Sequence, residues 1–139
     1  MKEPIWLNAA DIYGIHKEVI RVSGSRAGIL DAGKLTSSLN KAKNVFHYAG
    51  NADLFYLAAV YGYGLTKNHC FLDGNTQLAL IAVYTFLAMN GLDLIASEED
   101  AVTQFSAIAQ SQASQSIDID KLSRWLQTNT QALNLFEES

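Results

Sequence analysis

Only one cysteine, Cys70, and one proline, Pro4, occur in the 139 residues. A lone cysteine cannot close an intrachain disulfide and leaves no second thiolate for a metal cage, so a disulfide-stapled scaffold and a cysteine-rich zinc site are excluded. After Pro4 the chain carries no strong helix breaker, which favours a mostly helical fold. Charge is sparse and slightly acidic. Ten Lys and Arg against 14 Asp and Glu give a net charge of −4, without the basic footprint that direct DNA or RNA binding requires. No stretch reaches the roughly 18 apolar residues of a membrane span, and Met1 to Trp6 lack the apolar run of a signal peptide. The chain therefore reads as soluble, unprocessed and cytoplasmic. Apolar side chains are what it has in plenty, 49% of the total. At this length they fill one core, and one domain over residues 1–139 is expected.

Glycines punctuate the chain. Asn8 caps a first helix with Asp11 three residues on, and Ile12, Ile15, Val19, Ile20 and Val22 keep helical spacing as far as Ser23-Gly24. A loop over 23–28 leads to a short helix predicted from Asp31 to about Lys43, and Asn51-Ala52-Asp53 caps a third. The segments 54–65 and 78–89 are nearly all apolar and have no polar face, which marks them as buried core helices. Gly62 and Gly64 allow a neighbouring helix to come close, and Asn90-Gly91 stops the second segment. Leu92 to Ile95 alternates and is expected to pair as a short strand with Ile5-Trp6-Leu7. A fifth helix starts at Ser97 with a capping box completed by Asp100 and turns Ala101, Val102, Phe105 and Ile108 inward. A sixth runs from about Ser116 to near Thr130. Leu133, Leu135 and Phe136 equip the tail to dock. The expected architecture is all-α: about six helices around a central apolar helical hairpin.

Between the two apolar arms, residues 66–77 form a polar apex, where function is to be sought. A helix beginning near Gly74 presents unpaired N–H groups and the positive end of its dipole, a ready anion site with no side chain to block it. His69 is a titratable base, Asp73 a carboxylate able to hold a hard cation, and Asn75 an amide. Together they are the parts for moving a phosphate-containing group to a hydroxyl. Taken singly, each also has a structural role: a loop histidine is commonly a hydrogen-bonding residue, and Asp-Gly before a helix a cap. Phe71 reads as a core anchor for the loop under either view. His16 and His47 have no partner at ligand spacing, and no zinc-hydrolase, di-iron or GxxxxGK[ST] pattern occurs.

The run His69-Cys70-Phe71-Leu72-Asp73-Gly74-Asn75 resembles the His-x-Phe-x-(Asp/Glu/Asn)-(Gly/Ala)-Asn signature of the Fic/Doc family, and in particular its death-on-curing (Doc) toxins. The likeness extends over about residues 5–126, through Trp6, the helix with Ile15-His16, Gly28 to Asp31, Asp53 to Ala59, Phe86 to Gly91 and Ala96 to Glu99. The resemblance implies a toxin of a toxin–antitoxin module that transfers a phosphoryl group from ATP to a protein hydroxyl, with translation elongation factor Tu as the family's target. It implies His69 as general base, Phe71 as anchor, Asp73 as ligand of a nucleotide-bound Mg²⁺, and Gly74 with Asn75 as an anion hole. A Phd-like antitoxin segment would lie in a surface groove, because the chain has no Ser/Thr-x-x-x-Glu-(Gly/Asn) inhibitory segment of its own. Two cations usual in the family are missing, with Thr76 and Gln77 in the places of Lys (or Gly) and Arg, and Leu30 stands where an arginine is frequent. Lys67 keeps a positive charge beside the motif, and Arg26 is a further candidate. By family analogy, a glycine at position 76 goes with adenylyl transfer and a bulkier residue with phosphoryl transfer, so the resemblance implies phosphoryl transfer for Thr76. The alternatives are a pseudoenzyme that keeps only partner binding, adenylyl transfer, or another phosphate donor.

Overall fold

The computed structural model describes residues 2–134. Six helices, α1 (Ala9–Ser23), α2 (Ala32–Ala49), α3 (Leu54–Lys67), α4 (Asn75–Met89), α5 (Glu98–Gln110) and α6 (Gln115–Thr128), make up 67% of it, and the fold is all-α. A two-stranded antiparallel ribbon, β1 (Leu92–Leu94) with β2 (Thr130–Ala132), is the sole sheet among the described residues. None of these helices is long and apolar enough to cross a membrane.

The α3–α4 hairpin is the core. Leu57, Ala58, Ala59, Val60, Tyr61 and Leu65 on α3 and Leu78, Ala79, Ala82, Val83, Phe86 and Leu87 on α4 are essentially inaccessible to solvent. An all-apolar helix pair needs cover, and the other four helices supply it over most of its surface, leaving Tyr84 of α4 exposed. Gly62 is the point of closest approach: a Cβ there would meet Leu122 of α6 at 3.0 Å and Phe105 of α5 and Val83 of α4 at 3.1 Å. Gly64 similarly lets Ser38 of α2 come near.

Helix starts follow the sequence closely. Asn8 and Asp11 form a complete capping box on α1, Asp31 accepts from Lys34 N–H, and Asp53 from Tyr56 N–H. Four expectations need correction. The second helix does not stop near Lys43 but continues to Ala49, because no breaker intervenes before Gly50 (φ 72°) and Phe46 extends the buried stripe of Leu35, Leu39 and Ala42 to meet the Trp6 ring. Residues 92–95 pair with β2 instead of Ile5–Leu7. The Ile5 backbone is already taken: its N–H donates to Asn90 Oδ1 at 2.8 Å, and Asn90 Nδ2 donates to its carbonyl at 3.0 Å. Ser97 caps α5, yet Asp100 turns away to accept from Trp125 Nε1 at 3.1 Å, so α5 has half a box. Val102 is exposed, on the cavity side of α5. Within the tail, Leu133 N–H reaches Gly91 O at 2.9 Å; Leu135 and Phe136 lie outside the described residues.

Candidate active site

The chain between α3 and α4 is held as a taut loop. Cys70 O accepts from Leu30 and Asp31 N–H, and Leu72 N–H donates to Gly28 O at 2.9 Å, so residues 70–72 pair with 28–31 like two short antiparallel strands. Asn75 clamps the loop from inside. Its Oδ1 accepts from Phe71 N–H at 3.1 Å and its Nδ2 donates to Phe71 O at 2.8 Å, so the side chain serves both backbone groups of the anchor. Phe71 is buried, and the His16 ring of α1 stacks on it with centroids 3.8 Å apart. His16 Nε2 meets Asp73 O at 2.8 Å. A carbonyl can only accept, so Nε2 carries the proton.

His69 follows the helix cap Asn68 with φ 47°, the one non-glycine residue at positive φ among the described residues. Glycine or asparagine is the usual occupant after a helix end, and a histidine there costs about 1 kcal/mol. Strain of this kind gathers at functional positions. It holds the imidazole exposed at the mouth of a cavity of about 770 Å³, within the roughly 300–1,000 Å³ of small-molecule sites. Asp73, Gly74, Asn75, Thr76 and Gln77 line the same cavity, with α1 and α5 as its walls.

One end of the cavity is the start of α4. Helices α1, α2, α3, α5 and α6 each have a side chain accepting from their first turn. Helix α4 has Gly74 (φ 80°) at its N-cap and no side-chain cap, leaving the first N–H groups of the helix without that partner. A Cβ at Gly74 would sit 3.1 Å from Val19 Cγ1, and the positive φ adds to the demand for glycine. Asp73 Oδ2 accepts from Arg26 N–H at 3.0 Å and, more loosely, from Arg26 Nε at 3.4 Å. The adjacent Cys70 is fully buried, and burial pushes its thiol above the ordinary range, which keeps it protonated and inert.

Comparisons with known proteins give the family. The model of the Fic/DOC family matches residues 6–87, more than half of the chain. The chain belongs to the Fic/Doc family. It is also similar to the protein kinase doc of Escherichia phage P1, 27% identical over 93 residues that cover 67% of this chain and 74% of that protein.

Of the residues picked out by the Fic/Doc signature, His69, Asp73, Gly74, Asn75, Thr76 and Gln77 are brought to one cavity, and Lys67 is not. Its ammonium donates to Ser111 O at 2.7 Å, at the end of α5, and is engaged there instead of at the cavity lining. Its neighbour Thr66 lines the cavity instead, 1% exposed and with its hydroxyl unpartnered. The carboxylates lining the cavity are Glu18, Asp73 and Glu98, and no Lys or Arg lines it. Glu18 is held below the usual carboxylate range by the hydrogen bond from Arg21. Sequence alone does not single out His16 or Glu98, because the fold brings them to the motif, whereas Thr66 lies in the apex 66–77 already marked by its polarity.

Proposed function

We propose that this protein is a Doc-like transferase of the toxin type, moving the γ-phosphoryl group of ATP to a hydroxyl of a target protein, with elongation factor Tu the target suggested by the family. The observation that carries this reading is an exposed base, His69, sharing a cavity with the uncapped start of α4. His69 would take the proton of the incoming hydroxyl while its oxygen bonds to the γ-phosphorus and the bond to the ADP oxygen breaks. The N–H groups of α4 would receive the phosphate charge, and no side chain at Gly74 stands in the way.

Asp73 suits a Mg²⁺ site, since this ion commonly uses one or two carboxylates together with substrate phosphates, and no group of three or more metal-ligating side chains gathers among the described residues. Bound there, Mg²⁺ would neutralise phosphate charge. Thr76, branched at Cβ, supports γ- over α-phosphoryl transfer.

A partner would provide restraint. Two open, mainly apolar depressions share Ile81 of α4, one lined by Gly14 and Ile15 of α1 and the other by Tyr84, Ala96 and Ala101. An amphipathic Phd-like antitoxin segment would fit them. A second reading, a pseudoenzyme that retains only such binding, is favoured by the absence of Lys and Arg from the cavity lining. The deciding experiment incubates the protein with cell extract and ATP labelled at the α or γ position. Transfer of γ label that is lost in His69→Ala supports the kinase, transfer of α label supports adenylylation, and no transfer supports the pseudoenzyme.

A further inference from the structure

Three carboxylates line the candidate site, and Lys67, two residues before His69, is committed to Ser111. A polyphosphate entering such a cavity lacks a cationic side chain unless one arrives from the rim. Arg26 is placed for this. It lies in the loop between α1 and α2, whose far end is fixed by Gly28 O accepting from Leu72 N–H and whose near end is fixed by Gly24 N–H on Ile20 O. A Cβ added at Gly24 or Gly28, the two ends, would meet nothing within 4 Å. The Arg26 backbone N–H is anchored on Asp73 Oδ2 at 3.0 Å, which keeps the residue at the site whatever its side chain does. The side chain touches the same oxygen only through Nε at 3.4 Å and is 76% exposed. A long, solvated, one-point ion pair contributes little and is easily exchanged.

We infer that Arg26 is the phosphate-recognising cation of this site, resting on Asp73 until a metal-bound polyphosphate takes that carboxylate and draws the guanidinium to its own oxygens. This rests on reading the cavity as a nucleotide site. Metal and guanidinium compete for the one negative charge of Asp73 while the Arg26 backbone N–H keeps its place on Oδ2, so metal alone and metal with nucleotide respond to Arg26 in opposite directions. Metal alone must displace the guanidinium. Metal with nucleotide gives it a phosphate fork to bind, a contact that suits arginine better than lysine.

The test titrates the full-length chain with Mn²⁺ alone and with Mn²⁺ plus ATP, in wild type, Arg26→Ala, Arg26→Gln and Arg26→Lys, with thermal unfolding as a check on the fold. In Arg26→Ala and Arg26→Gln, Mn²⁺ alone is expected to bind as well as or better than in wild type, while affinity for ATP with Mn²⁺ falls about ten- to a hundred-fold. Arg26→Lys is expected to recover part of that loss. Unchanged ATP affinity in folded Arg26→Ala and Arg26→Gln overturns the inference, as does an equal loss for Mn²⁺ alone, which would mean that Arg26 only shapes the loop. If wild type itself binds no nucleotide, the reading of the cavity fails and the inference fails with it, a result distinct from wild-type binding that is indifferent to Arg26.

Discussion

His16 stacks on Phe71 with ring centroids 3.8 Å apart and holds the carbonyl of Asp73, 57 positions away, through the same imidazole. One side chain of α1 thus sets both the depth of the anchor and the height of the motif carboxylate. His16→Phe is expected to keep the stack and lose the hydrogen bond, and His16→Ala to lose both. The alanine variant should be destabilised by about 2–4 kcal/mol and the phenylalanine variant by roughly half of that. Urea unfolding measures the difference; equal losses would mean that the stack contributes nothing, and a His16→Phe protein as stable as wild type would mean that the hydrogen bond contributes nothing.

Strain at His69 sets stability against chemistry. Glycine removes the αL penalty, so His69→Gly is expected to match or exceed the wild-type stability by up to about 1 kcal/mol while abolishing transfer. A destabilised His69→Gly protein would show that the ring itself supports the loop.

Thr66→Val replaces a buried, unpartnered hydroxyl with a methyl group of the same shape. Stability is expected to rise by about 1 kcal/mol, since no hydrogen bond within the protein is lost. If the hydroxyl serves a ligand, nucleotide affinity falls in the same variant, and calorimetry of binding reads this separately from unfolding.

Alkaline pH should weaken the fold. Burial raises the Tyr61 phenol from its ordinary 10.0 to about 12. In the unfolded chain the phenol ionises from near pH 10, whereas the folded chain keeps its proton. This contribution is therefore fully present below pH 10 and lost as pH rises toward 12. The raised Cys70 thiol acts with the same sign from its own ordinary 9.0 upward. Urea midpoints at a series of pH values should fall over this range, and Tyr61→Phe should flatten the decline.

Gly62→Ala tests the packing at the core. The gain in helix propensity, about 1 kcal/mol, is opposed by contacts near 3.0 Å with α4, α5 and α6, and overpacking of this kind costs about 1–3 kcal/mol. A net loss of stability is expected, with lower thermal midpoints.

What the sequence discloses is local. The capping residues of α1 and α3, the apolar hairpin and the motif at its apex lie within a few positions of one another, and helical period and cap chemistry report them directly. Contacts between distant segments leave no such trace. His16 reads as an unpartnered helix histidine until α1 packs on the motif, and β2, Thr130-Gln131-Ala132, has no strand-like composition and forms because Gly91 to Leu94 offers it an edge. Thr66 and Lys67 show the limit of proximity as a guide: successive residues on a helix point about 100° apart, so one meets the cavity and the other meets α5.

Helix α4 has its two ends assigned to different tasks. Asn90, Gly91 and β1 at its C-terminal end receive both Ile5 and the 130–133 segment, while the cavity opens at its N-terminal end, roughly 22 Å away along a 15-residue helix. Fluorophores, affinity handles or tethers joined near residue 5 or residue 133 therefore leave from the side opposite the cavity mouth, and the protein can be immobilised by either attachment with its candidate active site facing open solution.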